Sequence, residues 1–247
     1  MINKVVFITG GTRGIGLSAA EALGLAGYDI IITGIDNEAA KTALEELKSK
    51  GINAEFIYAD SMNEDDVNKC FKTIEEKYGS LDVLVNNVGG LGGRQRFEGM
   101  ETSFMRRVMA LNFDSAFFAS RAAIPMLKKG EHPSIINYST IAVTSGGGPG
   151  AGIYSASKAA IEGLTRALAK DLAEYGIRVN AVSPGTIDTE FHAATKREIM
   201  ETWKSGIVMK RFGEASEVAS VIEFLASEKA SFLTGEIIQI NGGQAFI

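Results

Sequence analysis

The chain has 247 residues, of which 45% are hydrophobic and 22% charged, and its net charge is −5. These values suit one large α/β domain or two small ones and exclude a disordered or fibrous chain. One cysteine and two histidines exclude an internal disulfide and any common zinc site.

No block of like charge marks a nucleic-acid or membrane surface, and no apolar run reaches the ~18 residues of a membrane span. Met1–Lys4 run directly into an apolar segment without the pattern of a secretory leader, so a cytoplasmic location is expected. Short apolar runs then recur in order: Val5–Ile8, Ile30–Ile32, Ala54–Tyr58, Val83–Val85, Ile135-Ile136, Ile177–Val182 and Ile237–Ile240. They are continuous rather than alternating, which suits strands buried on both faces of a parallel sheet. Amphipathic segments separate them, as in Ala39–Lys50 and Asn63–Tyr78. Repeated βαβ units with right-handed crossovers predict a single α/β domain, a Rossmann-type doubly wound seven-stranded parallel sheet. The stretch Thr189–Phe212 breaks the rhythm and reads as a small helical lid.

After the first strand comes Thr9-Gly10-Gly11-Thr12-Arg13-Gly14-Ile15-Gly16, followed by a helix-like run to Ala26. Glycines let a backbone turn tightly and approach a pyrophosphate, and the helix N-terminus supplies free N–H groups. Further on, Tyr154 and Lys158 stand four apart on a predicted helix, and so share one face. A phenol of pKa ~10 is a poor acid/base at neutral pH, and a nearby ammonium is expected to lower it.

At this point the sequence resembles the short-chain dehydrogenase/reductase family over nearly its whole length. The family's glycine motif corresponds to Thr9–Gly16, its Asn-Asn-Ala-Gly motif to Asn86-Asn87-Val88-Gly89 and its Tyr-x-x-x-Lys motif to Tyr154–Lys158. Asn112, Pro184-Gly185 and the terminal Asn241-Gly242-Gly243 match in the same order. The resemblance implies catalysis by Asn112, Thr140, Tyr154 and Lys158. Thr140 takes the position of the second Ser in the family's Asn-Ile-Ser-Ser run, here Asn137-Tyr138-Ser139-Thr140, with Ser139 as the alternative. Asn112 would hold a water linking Lys158 to solvent, or else serve only to kink its helix. The implied cofactor contacts are Gly10, Thr12, Arg13, Gly14, Ile15, Gly16, Asp36, Asp60, Ser61, Asn87, Val88, Gly89, Tyr154, Lys158, Pro184, Gly185, Ile187 and Thr189.

The cofactor is NAD(H) or NADP(H), and two residues pull in opposite directions. Arg13 suits a 2′-phosphate, whereas Asp36, twenty residues after Gly16, suits a ribose hydroxyl and repels a phosphate. The balance leans to NADH. The expected partner is a small-molecule carbonyl, with no nucleic acid, membrane or metal. Gly146–Ala151 and Asp188–His192 resemble reductases of keto-deoxy uronates, in which Arg94 and Arg96 would clamp a carboxylate and His192 would touch the substrate. Trp203 packs the lid or lines the cleft, and Cys70 reads as a core residue. The alternative is a 3-oxoacyl-acyl-carrier-protein reductase, for which Lys128-Lys129 offers part of a basic patch while Glu174-Tyr175 does not. A non-catalytic dinucleotide-binding sensor is the rival from another class. Relatives of this kind are usually tetramers, so a homotetramer packed through 112–128 and 154–175 is expected.

Overall fold

A computed structural model describes residues 4–190 and 197–246. Seven parallel strands form one sheet in the order β3-β2-β1-β4-β5-β6-β7. They are β1 (Val5–Ile8), β2 (Asp29–Gly34), β3 (Ala54–Tyr58), β4 (Val83–Asn86), β5 (Ser134–Tyr138), β6 (Arg178–Pro184) and β7 (Ile237–Ile240). Helices α1 (Gly14–Leu25), α2 (Asn37–Ser49), α3 (Glu64–Tyr78), α4 (Thr102–Met109) and α5 (Ser115–Leu127) precede a single turn, α6 (Ala142–Ser145). They are followed by α7 (Gly152–Asp171), α8 (Arg197–Gly206) and α9 (Ala215–Ala226). The doubly wound sheet is thus as predicted. Helices α2 and α3 begin where Asp36 and Asn63 turn their carboxylate and amide oxygens onto the first free N–H groups.

The central strands β1, β4 and β5 are buried throughout, while the edge strands β3 and β7 are only partly covered. One apolar core packs α1 and α9 against one face, through residues such as Leu23, Ile32 and Ile222. The other packs α3 and α5 on the opposite face, through Phe71, Ile74 and Met126. Strand order reverses between β1 and β4, which opens a crevice at their carboxyl ends.

A buried polar ladder crosses the sheet just below that crevice. Asn86 Nδ2 donates to Asn137 Oδ1 and to Ser120 Oγ, each at 2.8 Å, and Asn137 Nδ2 donates to Thr165 Oγ1 at 2.9 Å. Asn86 and Asn137 are register partners on β4 and β5. The ladder therefore locks these two strands to each other and to α5 and α7.

Candidate active site

A cleft of about 730 Å³ occupies the crevice. Its floor is the glycine loop. Gly10 and Gly14 adopt φ of +65° and +54°, which L side chains rarely take. Asn87 braces the loop: its Nδ2 donates to the Gly10 carbonyl at 2.8 Å and to the Thr9 carbonyl at 3.1 Å. A Cβ on Gly16 would stand 2.5 Å from both the Gly10 carbonyl and Asn87 Nδ2, so only glycine fits. Arg13, Gly14, Ile15, Asn87, Gly89, Pro184, Gly185, Ile187 and Thr189 all line the cleft. Gly10, Gly16 and Val88 lie behind that surface, Val88 packing on Gly10. Thr12 faces Gly34 at the end of β2. Asp60 and Ser61 follow β3, where Asp60 Oδ1 accepts from the Met62 N–H at 2.9 Å. This bare backbone cradle at a helix N-terminus fits a dinucleotide pyrophosphate, and its residues would hold it.

Arg13 and Asp36, expected to pull apart, are paired. Arg13 Nη2 donates to Asp36 Oδ2 at 2.5 Å, while Asp36 Oδ1 accepts from the Ala39 and Glu38 N–H groups. The bond to Ala39, together with those to Arg13 and Glu38, holds the Asp36 carboxyl below its ordinary range.

The reactive end sits where β5 meets α7. The Thr140 side chain hydrogen-bonds the Tyr154 hydroxyl. Ser139 points elsewhere, donating to Glu162 Oε1 at 2.7 Å, so Thr140 is the hydroxyl that meets the tyrosine. Lys158 is fully buried and its Nζ donates to the Tyr138 carbonyl at 2.9 Å. Desolvation lowers its pKa to about 8. The expectation that Lys158 lowers the Tyr154 pKa is not met. Burial pushes that phenol up, and the bond from Thr140 opposes it. The ammonium is turned toward the Tyr138 carbonyl.

Asn112 is fully buried in a π-turn spanning Ala110–Asp114, between α4 and α5. Its Nδ2 takes the Val108 carbonyl at 2.9 Å, which competes with the helical ladder and widens the turn. The same group donates to the Gly90 carbonyl, and Oδ1 accepts from the Gly90 N–H, each at 2.9 Å. Asn112 thereby fixes the loop after β4. A Cβ on Gly89 would lie 2.8 Å from both Asn112 Oδ1 and Lys158 Nζ, so this glycine lets the two polar groups converge.

On the substrate side, Arg94 lines the cleft, with Nη1 donating to the Pro149 carbonyl at 3.1 Å. Arg96 does not reach it. Its extended backbone leads directly into the exposed turn Phe97–Gly99. His192 lies outside the described residues. Trp203, on α8, lines the cleft, as does Glu190. Sequence reasoning stopped one residue short at the C-terminus: Gln244, just after Asn241-Gly242-Gly243, lines the cleft and its Oε1 accepts from the Thr186 N–H at 2.9 Å. Leu91, Ile141 and Ala142 also face it without any sequence signal beyond being apolar. Cys70 is buried, and its thiol is pushed up to about 12 by desolvation. Among the described residues, no cluster of His, Cys, Asp and Glu could hold a metal ion, and no helix is long and apolar enough to cross a membrane.

A parallel doubly wound sheet, a glycine cradle at its switch point and a Thr-Tyr-Lys constellation beside it define a nicotinamide-dinucleotide-dependent oxidoreductase. A family model described as enoyl-(acyl carrier protein) reductase matches residues 10–245. The chain is 39% identical over 241 residues to 3-oxoacyl-acyl-carrier-protein reductase FabG of Aquifex aeolicus, covering 97% of this chain and 96% of that protein. Its fold superimposes on a short-chain dehydrogenase/reductase from Brucella melitensis with a TM-score of 0.92, at 34% identity and over 99% and 98% of the two chains. It also matches an NADH-dependent reductase A1-R′ responsible for alginate metabolism with a TM-score of 0.91, at 33% identity and over 99% and 98%. The chain belongs to the short-chain dehydrogenase/reductase family and is an NAD(P)-dependent oxidoreductase.

Proposed function

We propose that the protein reduces the carbonyl of a keto-deoxy uronate or related sugar-acid ketoaldehyde, with NADH preferred as donor. A bound nicotinamide would supply the hydride to the carbonyl carbon. Thr140 and the Tyr154 phenol both donate hydrogen bonds to the carbonyl oxygen, and Tyr154 gives it the proton as the alcohol forms. Lys158, one helical turn along and with its pKa lowered to about 8, releases a proton far more readily than a solvated lysine and restores the phenol. Asn112 holds the loop that carries Gly89 and lies beside this route. The NADH preference rests on the Arg13–Asp36 pair. A 2′-phosphate would have to displace a carboxylate that also caps α2.

Arg94 carries the substrate reading. Three cations line the cleft among the described residues. Lys158 is buried, and Arg13 is paired with Asp36. Arg94 is exposed and, among the described residues, holds a backbone carbonyl, which a substrate carboxylate would replace with a charge-assisted, two-pronged bond. Glu190 offers an acceptor for sugar hydroxyls. The A1-R′ reductase, similar to this chain, acts in alginate metabolism.

The second reading, a 3-oxoacyl-acyl-carrier-protein reductase, is favoured by the names of curated relatives. Against it, Lys128 lies over the Tyr175 ring at 3.4 Å and Lys129 pairs with Glu75 at 3.0 Å, so neither is free for an acidic carrier. The deciding experiment follows NAD(P)H absorbance with a keto-uronate, an uncharged diketone and an acetoacetyl thioester, on the wild type and on Arg94→Ala. The variant should raise KM for the keto acid roughly ten- to a hundredfold and leave the diketone nearly unchanged. Equal loss on both makes Arg94 structural. Preference for the thioester gives the site to the carrier-protein reading, and no turnover at all gives it to the non-catalytic sensor. Exposed Phe117 on α5 and Tyr175 after α7 mark faces for further copies of the chain in a homotetramer, to be checked by light scattering.

A further inference from the structure

We infer that Glu162 is a positioning residue for the reaction, holding the end of β5 against α7 through Ser139. This rests on the reading above, in which Thr140, Tyr154 and Lys158 do the chemistry.

Four consecutive residues at the end of β5 are each tied to α7. Asn137 Nδ2 donates to Thr165 Oγ1 at 2.9 Å, and the Tyr138 carbonyl accepts from Lys158 Nζ at 2.9 Å. Ser139 Oγ donates to Glu162 Oε1 at 2.7 Å, and Thr140 bonds Tyr154. The α7 partners 154, 158, 162 and 165 follow helical spacing and share one face. Strand alternation sends Asn137 and Ser139 toward that face, while the Tyr138 ring joins the core formed by α1 and α9 on the opposite side of the sheet.

The four ties differ in kind. Asn137–Thr165 belongs to the buried ladder anchored by Asn86. The ties through Lys158 and Tyr154 use the reacting groups themselves, which must change protonation during turnover. Ser139–Glu162 is the one link of the four that involves neither the ladder nor a group that turns over. It acts on the residue adjacent to Thr140. Ser139 is 4% exposed, and the Glu162 side chain only 18%. The bond is short and charge-assisted, and the second carboxylate oxygen lies 3.9 Å from Arg166 on the outer side of the helix. Removing the carboxylate leaves a buried hydroxyl unpaired and frees the strand end to shift relative to Tyr154. A reacting geometry displaced by about 1 Å loses roughly a hundredfold in rate.

The test compares Glu162→Leu, Glu162→Gln and Ser139→Ala, reading kcat, KM, the NADH Kd by fluorescence, and the melting temperature. Glu162→Leu should lower kcat roughly ten- to a hundredfold, with the NADH Kd unchanged within about twofold. Glu162→Gln keeps an acceptor and should recover most of the rate. Ser139→Ala should match Glu162→Leu, and the double variant should lose no more than either alone. Near-native kcat in Ser139→Ala overturns the inference, even if Glu162→Leu does not fold. So does a Glu162→Gln variant as slow as Glu162→Leu, or a fall in kcat matched by a loss of NADH affinity. Tyr154→Phe, run alongside, separates the two layers. If it keeps its turnover, the catalytic reading fails. If it is inactive while Glu162→Leu is near native, only the positioning role fails.

Discussion

At the dinucleotide end of the cleft, a Cβ on Gly16 would meet the Gly10 carbonyl and Asn87 at 2.5 Å. At the substrate end, Gly146 has nothing within 4 Å, and a Cβ on Gly148 would meet only the tip of Arg94 at 3.5 Å. The first end is made of backbone braced by backbone and by one amide, so its shape admits almost no variation. The second is made of side chains hung on two loops, joined by the Gln95 N–H to Gly150 carbonyl bond at 3.1 Å and by Arg94 to Pro149. A pyrophosphate is the same in every cofactor and suits a fixed cradle. A substrate differs from enzyme to enzyme and is read by a few exchangeable groups. The contrast explains why the reaction class follows from this chain more directly than its substrate does.

The largest expected effect breaks the substrate end without touching the other. Tyr154→Phe removes the proton donor, and kcat should fall by about a thousandfold or more while the NADH Kd stays within about twofold. Retained turnover would remove Tyr154 from the mechanism.

Two glycines set the ends of the cleft against each other. Gly16→Ala forces a methyl against a backbone carbonyl, and should cost about 2–4 kcal/mol of stability and abolish detectable NADH binding. Gly146→Ala meets open space and bears only the strain of φ +74°, about 1–2 kcal/mol, with kcat close to native. Denaturant melts and cofactor titration of both variants measure this. Similar losses in the two would dissolve the distinction.

Lys158 shows function opposing stability. Its pKa in the folded chain, about 8, lies below the ordinary lysine value of 10.5. Between these values the unfolded chain binds more protons, so stability rises with pH across that window, and the burial penalty is fully present below pH 8. The difference corresponds to about 3 kcal/mol, and losing the bond to the Tyr138 carbonyl offsets about 1 kcal/mol of any gain. Lys158→Met should therefore be inactive yet more stable by about 2 kcal/mol at pH 7. That advantage should shrink toward pH 10.5. Urea melts at pH 7 and pH 10 decide it, and a less stable variant at pH 7 contradicts the assignment.

The smallest effect lies at the adenosine side of the dinucleotide end. Asp36→Ala frees Arg13 and should raise the NADPH-to-NADH ratio of kcat/KM about tenfold. It also removes the α2 cap, at about 1 kcal/mol. Steady-state kinetics with both cofactors measure the ratio. No change would place the pair away from the ribose.

The continuous apolar runs and the glycine loop were enough to predict the sheet, since a strand buried on both faces admits no polar alternation and a tight turn at a helix N-terminus demands glycine. Tyr154 and Lys158 were legible because helical spacing is local. Arg96, separated from Arg94 by one residue, is not among the residues lining the cleft, because the direction in which a loop leaves the cleft is not written locally. Gln244 was missed because nothing near it in sequence shows that it meets Thr186, 58 positions away.

The order of strands and helices, the glycine loop and the shared helical face of Tyr154 and Lys158 follow from neighbours within a turn or a strand, while the roles of the reactive residues follow from the family resemblance. The packing of distant segments set the rest: Arg13 and Asp36 neutralise one another, Ser139 turns to Glu162 so that Thr140, already matched by the motif, meets Tyr154, and Lys158 is turned toward a carbonyl and shorn of water. Those outcomes depend on desolvation and on hydrogen-bond partners brought together by the packing of β5 against α7 and of the glycine loop against the end of β2. Neither separation is encoded in any short stretch of the chain.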